Sequence, residues 1–245
     1  MEFTFGIITD GSVDARLNQI IDSIEANHIP TYEIIIVGNS GVVRERTRVI
    51  PFDERLRPAC WITRKKNIIV ANAAYENVVL LHDYIALDAD WYDGFLRFGD
   101  NYDWCVSPIV NQNGTRFRDF TLFGNSYRLG NVVIGRVHEL DPYFLNHCLL
   151  PYTFQSTPAI NKYLYISGSY YIIKRQVARE NPLNEALLVF QGEDLDLTAR
   201  LHAKGILIKC NPYSRVRFLK QKDPVSWEQP MDEAHVAMLV KKSLA

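Results

Sequence analysis

Hydrophobic positions at the start of the chain follow a strand, helix, strand order. Residues 3–9 are β-branched or aromatic and run into the turn sequence DGS, which predicts a strand that ends at a turn. Across 12–27 the apolar residues recur at helical spacing, and Pro30 follows that segment. Residues 32–37 (YEIIIV) are almost continuously apolar, which is typical of a parallel strand covered on both faces. The pattern therefore predicts a βαβ unit.

The alternation of strands and helices continues along the chain. Residues 48–52 predict a weaker strand, 62–75 a helix with a basic start, and 78–81 (VVLL) a buried strand. The later predicted elements are a helix near 91–95, strands at 104–109 and 206–210, a helix from 192, and a terminal helix at 232–244. Residues 163–173 are strand-like on both sides of 167–169. Exposed hairpins or loops are expected at 111–130, and an irregular aromatic wall or lid at 142–158. With no internal repeat and no linker composition, one α/β domain is expected.

Polar residues follow three of the predicted strands. They read Thr9-Asp10-Gly11, Gly38-Asn39-Ser40 and His82-Asp83-Tyr84. In open α/β sheets, ligands bind beyond the carboxyl ends of the strands. These three strand ends are therefore the first candidates for a ligand site.

The run GEDLDL at 192–197 places three carboxylates at the start of a predicted helix. Acidic side chains in a first helical turn are stabilised by unpaired backbone N–H groups and by the helix dipole, so a well-capped helix start alone explains them. The alternative interpretation is that one of these carboxylates is a catalytic base. The order of the other motifs along the chain decides between the two interpretations.

Composition narrows the class of protein only slightly. The 245 residues are 47% hydrophobic, enough for a substantial core, and the net charge of -1 leaves nucleic acid as a partner unsupported but not excluded. The four cysteines lack C-x-x-C or zinc spacing and indicate free thiols in a reducing compartment. The N-terminus has no signal-peptide pattern, and no apolar run reaches the roughly 20 residues of a membrane span. We expect a cytoplasmic protein, with peripheral membrane association and homo-oligomer formation left open.

Six motifs in this order resemble the GT-A-fold glycosyltransferases, and most closely the inverting enzymes of family 2. The motifs are FGIITDG, EIIIVGNSG, RKKN at 64–67, VVLLHDYIAL, ISGS at 166–169 and GEDLDL, and the resemblance covers about residues 3 to 210. It implies a single GT-A-type, Rossmann-like domain over 1–245, whose mixed, mainly parallel sheet is flanked by helices. Within it, 1–110 is the nucleotide-sugar-binding half, 111–220 the acceptor and catalytic half, and 221–245 a tail and helix.

The resemblance also implies a donor site for a nucleotide-diphosphate sugar. The residues that match its motifs are Thr9, Asp10, Gly11, Asn39, Ser40, Arg64, Lys65, Asn67, His82, Asp83 and Tyr84. At 38–40 the family usually has an aspartate against the base or ribose, whereas Asn39 can only form hydrogen bonds. Cations at 64–65 would offset phosphate charge, although a solvated basic helix turn explains them equally well.

The metal motif departs from the family pattern. His82-Asp83-Tyr84 stands where the family carries Asp-x-Asp, so Asp83 is the principal candidate ligand and His82 the second. A carboxylate with an imidazole suits Mn²⁺ better than Mg²⁺, which prefers oxygen ligands alone. A structural hydrogen-bonded pair is the alternative for these two residues, and basic residues, among them Arg215 and Arg217, are an alternative means of neutralising phosphate.

The catalytic half carries the implied base. Asp194 matches the aspartate that takes the proton of the acceptor hydroxyl, with Glu193 beside it, and paired acids raise one pKa. Candidate acceptor contacts are Ser167, Gly168, Ser169 and Trp227, and a close-packed strand is the alternative for 167–169. The acceptor is a glycan, a lipid-linked group or another hydroxyl compound. Two other functions remain open: a nucleotidyltransferase, and an inactive GT-A-like domain that binds carbohydrate or assembles with a partner.

Overall fold

The computed structural model describes residues 1–11, 14–56, 61–122, 127–129, 132–134, 148–187, 191–222, 229–230 and 233–243. Its strands are β1 (Glu2–Ile8), β2 (Thr31–Val37), β3 (Thr47–Ile50), β4 (Asn77–His82), β5 (Ile85–Leu87), β6 (Trp104–Val106), β7 (Ile109–Val110), β8 (Phe120–Leu122), β9 (Tyr127–Leu129), β10 (Val132–Ile134), β11 (Cys148–Leu149), β12 (Leu164–Ile166), β13 (Tyr170–Lys174), β14 (Ile208–Cys210), β15 (Val216–Phe218) and β16 (Gln229–Pro230). Its helices are α1 (Asp14–Glu25), α2 (Ile62–Asn72), α3 (Trp91–Phe98), α4 (Pro158–Asn161), α5 (Arg175–Glu180), α6 (Glu193–Ala203) and α7 (Glu233–Ser243).

The main sheet has seven strands in the order β14-β6-β13-β4-β1-β2-β3. Strand β1 pairs in parallel with β2 and β4, β2 pairs in parallel with β3, and β14 pairs in parallel with β6. Strand β13 alone runs antiparallel to both of its neighbours, β4 and β6. The expected α/β architecture with a mixed, mainly parallel sheet is confirmed.

The interior of the sheet is apolar because β1 is covered on both faces. Phe3 and Phe5 pack against the aromatic rings of Trp91 in α3, with the Phe3 and Trp91 ring centroids 5.1 Å apart. On the other face α2 lies so close that a Cβ at Gly6 would sit 2.2 Å from Cγ2 of Ile69. Continuous burial along β1 follows from these two contacts and explains its unbroken apolar sequence.

Several predicted boundaries differ from the structure. Helix α2 ends at Asn72 rather than 75, because Ala73 has an extended backbone conformation. The strand-like residues predicted on both sides of 167–169 are β12 and β13, and the structure adds that these two strands belong to different sheets. The predicted strand at 104–109 is likewise divided into β6 and β7. Each strand changes sheets at these breaks, which a pattern of apolar residues does not reveal.

Three smaller sheets complete the described structure. They have the orders β12-β8-β11-β16, β5-β15-β7 and β10-β9. Strand β8 is fully buried, although the segment 111–130 was expected to be exposed hairpins or loops. Among the described residues, no helix is long and apolar enough to cross a membrane.

Candidate active site

A cleft of about 550 Å³ opens beside the carboxyl end of β4. It brings together three of the sequence motifs: the end of VVLLHDY, the 167–169 loop and the first turn of α6. The predicted site residues that line it are His82, Tyr84, Ser167, Gly168, Ser169, Glu193 and Asp194. His82 and Asp194, 112 residues apart in sequence, therefore meet at one place, because β4 and β13 are neighbours in the main sheet and α6 begins beside the loop that precedes β13.

Asp194 is held at the cleft by three hydrogen bonds. Its Oδ2 atom accepts from the Tyr165 hydroxyl and from the Gly168 backbone N–H, each at 2.9 Å, while Oδ1 accepts from the Leu195 N–H at 3.0 Å. Burial and the neighbouring charge of Glu193 raise the pKa of Asp194 from 3.8 to about 6, against the opposing effect of these hydrogen bonds. A carboxylate with a pKa near 6 is a stronger proton acceptor than an ordinary aspartate and is still ionised at pH 7.

The loop residue Gly168 leaves space for both acids of the helix start. A Cβ atom at this position would lie 2.7 Å from Oε1 of Glu193 and 3.0 Å from Oδ2 of Asp194. No larger residue fits without moving the two carboxylates.

Gly168→Ala is therefore expected to lower turnover strongly and to lower the free energy of unfolding only moderately. Displacing a catalytic group by about 1 Å costs about 100-fold in rate, whereas a single added methyl group costs about 1–3 kcal/mol of folding free energy. Steady-state kinetics beside a thermal unfolding curve measures the two effects. Turnover equal to that of the unmodified protein would contradict this account of the loop.

Lys66 lies beneath the loop and the acidic helix start. Its side chain is fully buried, and Nζ donates a hydrogen bond to the Gly168 carbonyl oxygen at 2.7 Å. The same Nζ lies 3.6 Å from Oε1 of Glu193. Lys66 therefore joins two elements that carry the candidate catalytic residues, although the sequence analysis named only its neighbours as site residues.

Thr9 connects the ends of β1 and β4. Its hydroxyl donates to Oδ2 of Asp83 at 2.8 Å and accepts from the Gly11 N–H at 3.1 Å. Burial raises the pKa of Asp83, opposed by the Thr9 hydrogen bond and the charge of Arg16. The predicted proximity of these strand ends follows from the parallel pairing of β1 and β4.

The side chain of Lys65 is buried and makes structural contacts. Its fully buried Nζ donates to the Thr9 carbonyl oxygen at 2.7 Å and to Oε1 of Glu54 at 2.5 Å. Both contacts stabilise the end of β1 and the turn that contains Glu54. The interpretation of Lys65 as a surface cation for phosphate is not supported by this geometry, since its charge is already compensated.

Other predicted donor residues lie outside the cleft. Arg64 and Asn67 both bond to Glu185, with the Arg64 Nη1 atom 3.1 Å from the carboxylate, and Asn67 also bonds to the backbone of Leu183. These two side chains hold the 183–185 segment against α2. The sequence analysis offered phosphate binding or a solvated helix turn for these residues, whereas the structure shows them in contact with another segment of the chain.

The loop after β2 is organised by Asp14. Ser40 Oγ donates to Oδ1 of Asp14 at 2.7 Å, which fixes the loop against the first turn of α1. Asn39 and Asp10 are exposed, and the Asn39 carbonyl oxygen closely approaches Gly11, where a Cβ would be only 2.2 Å away. Gly11 has a φ of 91°, a conformation that favours glycine. The close approach at Gly11 places the predicted residues Asp10, Gly11 and Asn39 next to one another.

Lys220 and Lys222 line the cleft, although the sequence analysis did not single them out. Arg215 and Arg217, the basic residues considered for phosphate, instead both pair with Asp88. Burial, together with the positive charges of Lys220 and Arg118, lowers the pKa of Lys222 to about 8. Trp227, the remaining candidate acceptor contact, lies outside the described residues.

The donor atoms at His82 and Asp83 do not fit a divalent cation well. They supply one carboxylate and one imidazole, and the described ranges contain no group of three His, Cys, Asp or Glu side chains placed to hold a metal. Burial, followed by the charges of Lys66, Lys222, Lys220 and Lys65, holds the pKa of His82 well below its usual value. A dication at this place would enter a positive field with two protein ligands, whereas Mn²⁺ normally has more.

The sheet order, the antiparallel β13 between parallel strands, and the acidic helix start beside it define a protein of the GT-A fold, as the sequence resemblance predicts. Solved structures agree. The crystal structure of GalNAc-T7 with UDP, GalNAc and Mn²⁺ is similar over 94% of this chain and 45% of that chain, with a TM-score of 0.60 and 13% identity. Staphylococcus aureus TarS 1–349 in complex with UDP-GlcNAc is similar over 100% of this chain and 66% of that one, with a TM-score of 0.54 and 14% identity.

At this level of identity the likeness shows the fold alone, and the chain spans less than two thirds of each of these structures. No protein-family model matches the chain. Among curated proteins, the glutamate 5-kinase of Acinetobacter baumannii is 30% identical over 132 residues, which make up 49% of this chain and 34% of the kinase. Because this chain spans only about a third of the kinase, the match does not show the family.

Proposed function

We propose that the protein is an inverting glycosyltransferase, which moves a sugar from a nucleotide-diphosphate sugar to an acceptor hydroxyl. The observation that carries the proposal is the placement of Asp194, which Tyr165 and Gly168 hold in a cleft that Lys220 and Lys222 also line. One carboxylate for the acceptor and positive charge for the diphosphate are what an inverting transfer requires.

The reaction balances with the residues in this cleft. The acceptor oxygen attacks the anomeric carbon while its proton passes to the Asp194 carboxylate. The anomeric C–O bond breaks, and its electron pair remains on the diphosphate oxygen that leaves. Oε1 of Glu193 lies 3.6 Å from Nζ of Lys66, and the charge of Glu193 raises the pKa of Asp194, which helps Asp194 to hold the proton.

The similar structures support the donor class. TarS is solved with UDP-GlcNAc, and GalNAc-T7 is solved with UDP and GalNAc, so uridine diphosphate sugars are the first donors to test. Thr9, Asp10, Gly11, Asn39 and Ser40 lie at the carboxyl ends of β1 and β2, where a nucleoside fits the fold. The Mn²⁺ in the GalNAc-T7 structure supports a divalent cation as the alternative means of neutralising the diphosphate.

The direct test is a screen of nucleotide-sugars against the purified protein, with release of the nucleoside diphosphate as the readout. Each donor is assayed with sugar, glycan and lipid-linked acceptors, with and without Mn²⁺. Stimulation of release by an acceptor supports the proposal. Thermal stabilisation by a nucleoside diphosphate, without release under any condition, would instead favour the inactive binding domain.

Turnover should depend on the ionisation of Asp194. Because the pKa of Asp194 is raised to about 6, the base form is lost as the pH falls through that value. The rate should rise with pH up to about 6, level off above it, and fall about tenfold per unit below it. A profile of kcat/KM against pH measures this, and a rate that stays constant down to about pH 5 would contradict the assignment.

A further inference from the structure

Two lysines converge on one aromatic side chain at the cleft. Nζ of Lys222 donates to the Tyr84 hydroxyl at 2.9 Å, and Nζ of Lys220 lies 3.9 Å from the centroid of the Tyr84 ring. Nζ of Lys222 also lies 4.8 Å from the ring centroid of Phe218, so this ammonium group is packed among aromatic residues. Both ammonium groups therefore contact the Tyr84 side chain, that of Lys222 from a half-buried position and that of Lys220 from an exposed one.

The positive charge of this pair is compensated only in part within the described parts of the chain. There, neither Lys220 nor Lys222 forms an ion pair with a carboxylate, although the charge of Lys220 lowers the pKa of Asp83. By contrast, the fully buried lysines Lys65 and Lys66 each lie beside a glutamate. Two ammonium groups beside one aromatic ring repel each other, and an anion that binds beside both of them offsets this repulsion.

His82 adds a hydrogen-bond donor to the same place. The Tyr84 hydroxyl accepts from Lys222 and lies 3.0 Å from Nδ1 of His82 and 3.3 Å from Oγ of Ser169. When this hydroxyl donates to Nδ1, the neutral imidazole carries its proton on Nε2. Among the described residues, this buried Nε2 atom has no hydrogen-bond partner. In this tautomer it donates to an anion and has no lone pair for a metal.

We propose that Lys220, Lys222 and Nε2 of His82 bind the diphosphate of the donor directly and stabilise it as a leaving group without a bound divalent cation. This inference rests on the proposed glycosyl transfer. The negative charge that develops on the diphosphate oxygen, as the anomeric C–O bond breaks, meets ammonium groups in the position where a metal ion would otherwise act.

The test uses inorganic pyrophosphate, because it is the part common to all nucleoside diphosphates. Binding is measured by isothermal titration calorimetry in EDTA and again with Mn²⁺, for the unmodified protein and for Lys220→Gln, Lys222→Gln and Lys204→Gln. We expect binding in EDTA that weakens about tenfold or more in each of the first two variants, since charged hydrogen bonds are lost. Lys204, exposed at the end of α6, is the matched control and should have no effect.

Three results would overturn the inference: no pyrophosphate binding in EDTA, binding that requires Mn²⁺, or equal binding by all variants. Lys220 is exposed, so Lys220→Gln remains informative even if Lys222→Gln lowers stability. Sugar transfer separates the two proposals. Transfer that stops in EDTA and returns with Mn²⁺ contradicts the metal-free site alone, whereas pyrophosphate binding without transfer of any sugar contradicts the proposed function alone.

Discussion

Asp194→Asn is expected to lower turnover about 100- to 10,000-fold, the usual contribution of a positioned general base. The amide oxygen of asparagine can still accept the hydrogen bonds from Tyr165 and Gly168, so the loop and the helix start keep their positions. It cannot take the acceptor proton. Binding of the nucleoside diphosphate, measured by calorimetry, should remain nearly unchanged while kcat falls.

The matched control is Asp196→Asn. Asp196 lies two residues further along α6 but pairs with Arg200, with Nε and Oδ2 2.9 Å apart, and does not line the cleft. Its replacement should leave turnover close to that of the unmodified protein. Equal loss in both variants would indicate damage to the helix rather than the loss of a base, and normal turnover in Asp194→Asn would exclude its catalytic role.

Lys66→Met should have the largest combined effect on stability and activity. Removing a buried cation leaves the Gly168 carbonyl oxygen without its partner and Glu193 without its nearest positive charge, at a cost of about 3 kcal/mol or more in folding free energy. Because the charge of Lys66 lowers the pKa of Asp194, its loss should also shift the pH profile of turnover to higher pH.

Two measurements separate structure from chemistry in this variant. Denaturant unfolding gives the loss of stability, and kcat/KM against pH gives the shift of the profile. Lys204→Met, on the exposed end of α6, is the control for a loss of charge. If Lys66→Met is destabilised but the midpoint of its pH profile of kcat/KM is unchanged, then Lys66 has a structural role alone.

The fold was largely predictable because its central elements have strong hydrophobic patterns. Strands β1, β2 and β4 are nearly continuous apolar runs, and α1 buries Leu17, Ile20, Ile21 and Ile24 as the helical spacing predicts. The sequence indicated strands on both sides of Ser167-Gly168-Ser169, but the change of sheet there was not predictable, because equally apolar residues on both sides do not show to which sheet each strand belongs. That break places Gly168 against Asp194.

The basic start of α2 was misinterpreted for a physical reason. Lysine is almost never fully buried unless its charge is paired, so Lys65 and Lys66 were expected to face solvent or phosphate. Their spacing carried the contrary signal. Each lies four residues before a buried residue of the same helix, Ile69 and Val70, and therefore shares the helix face that packs on the sheet.

The cleft lysines could not be recognised from the sequence. In SRVRFLKQK the strand alternation is visible, with Val216 and Phe218 buried and Arg215 and Arg217 between them on the other face. Lys220 and Lys222 follow after the strand ends, where alternation no longer indicates direction. The pairing of β15 with β5 and the packing of Tyr84 against Phe218 bring this segment to the cleft.

The anomeric configuration of the first product tests the central claim most directly. Proton NMR of the product formed from an α-linked nucleotide-sugar distinguishes inversion from retention. A single displacement with Asp194 as the base predicts a β-linked product that is absent from the Asp194→Asn reaction. An α-linked product, or the same β-linked product formed at an equal rate by Asp194→Asn, would contradict the account.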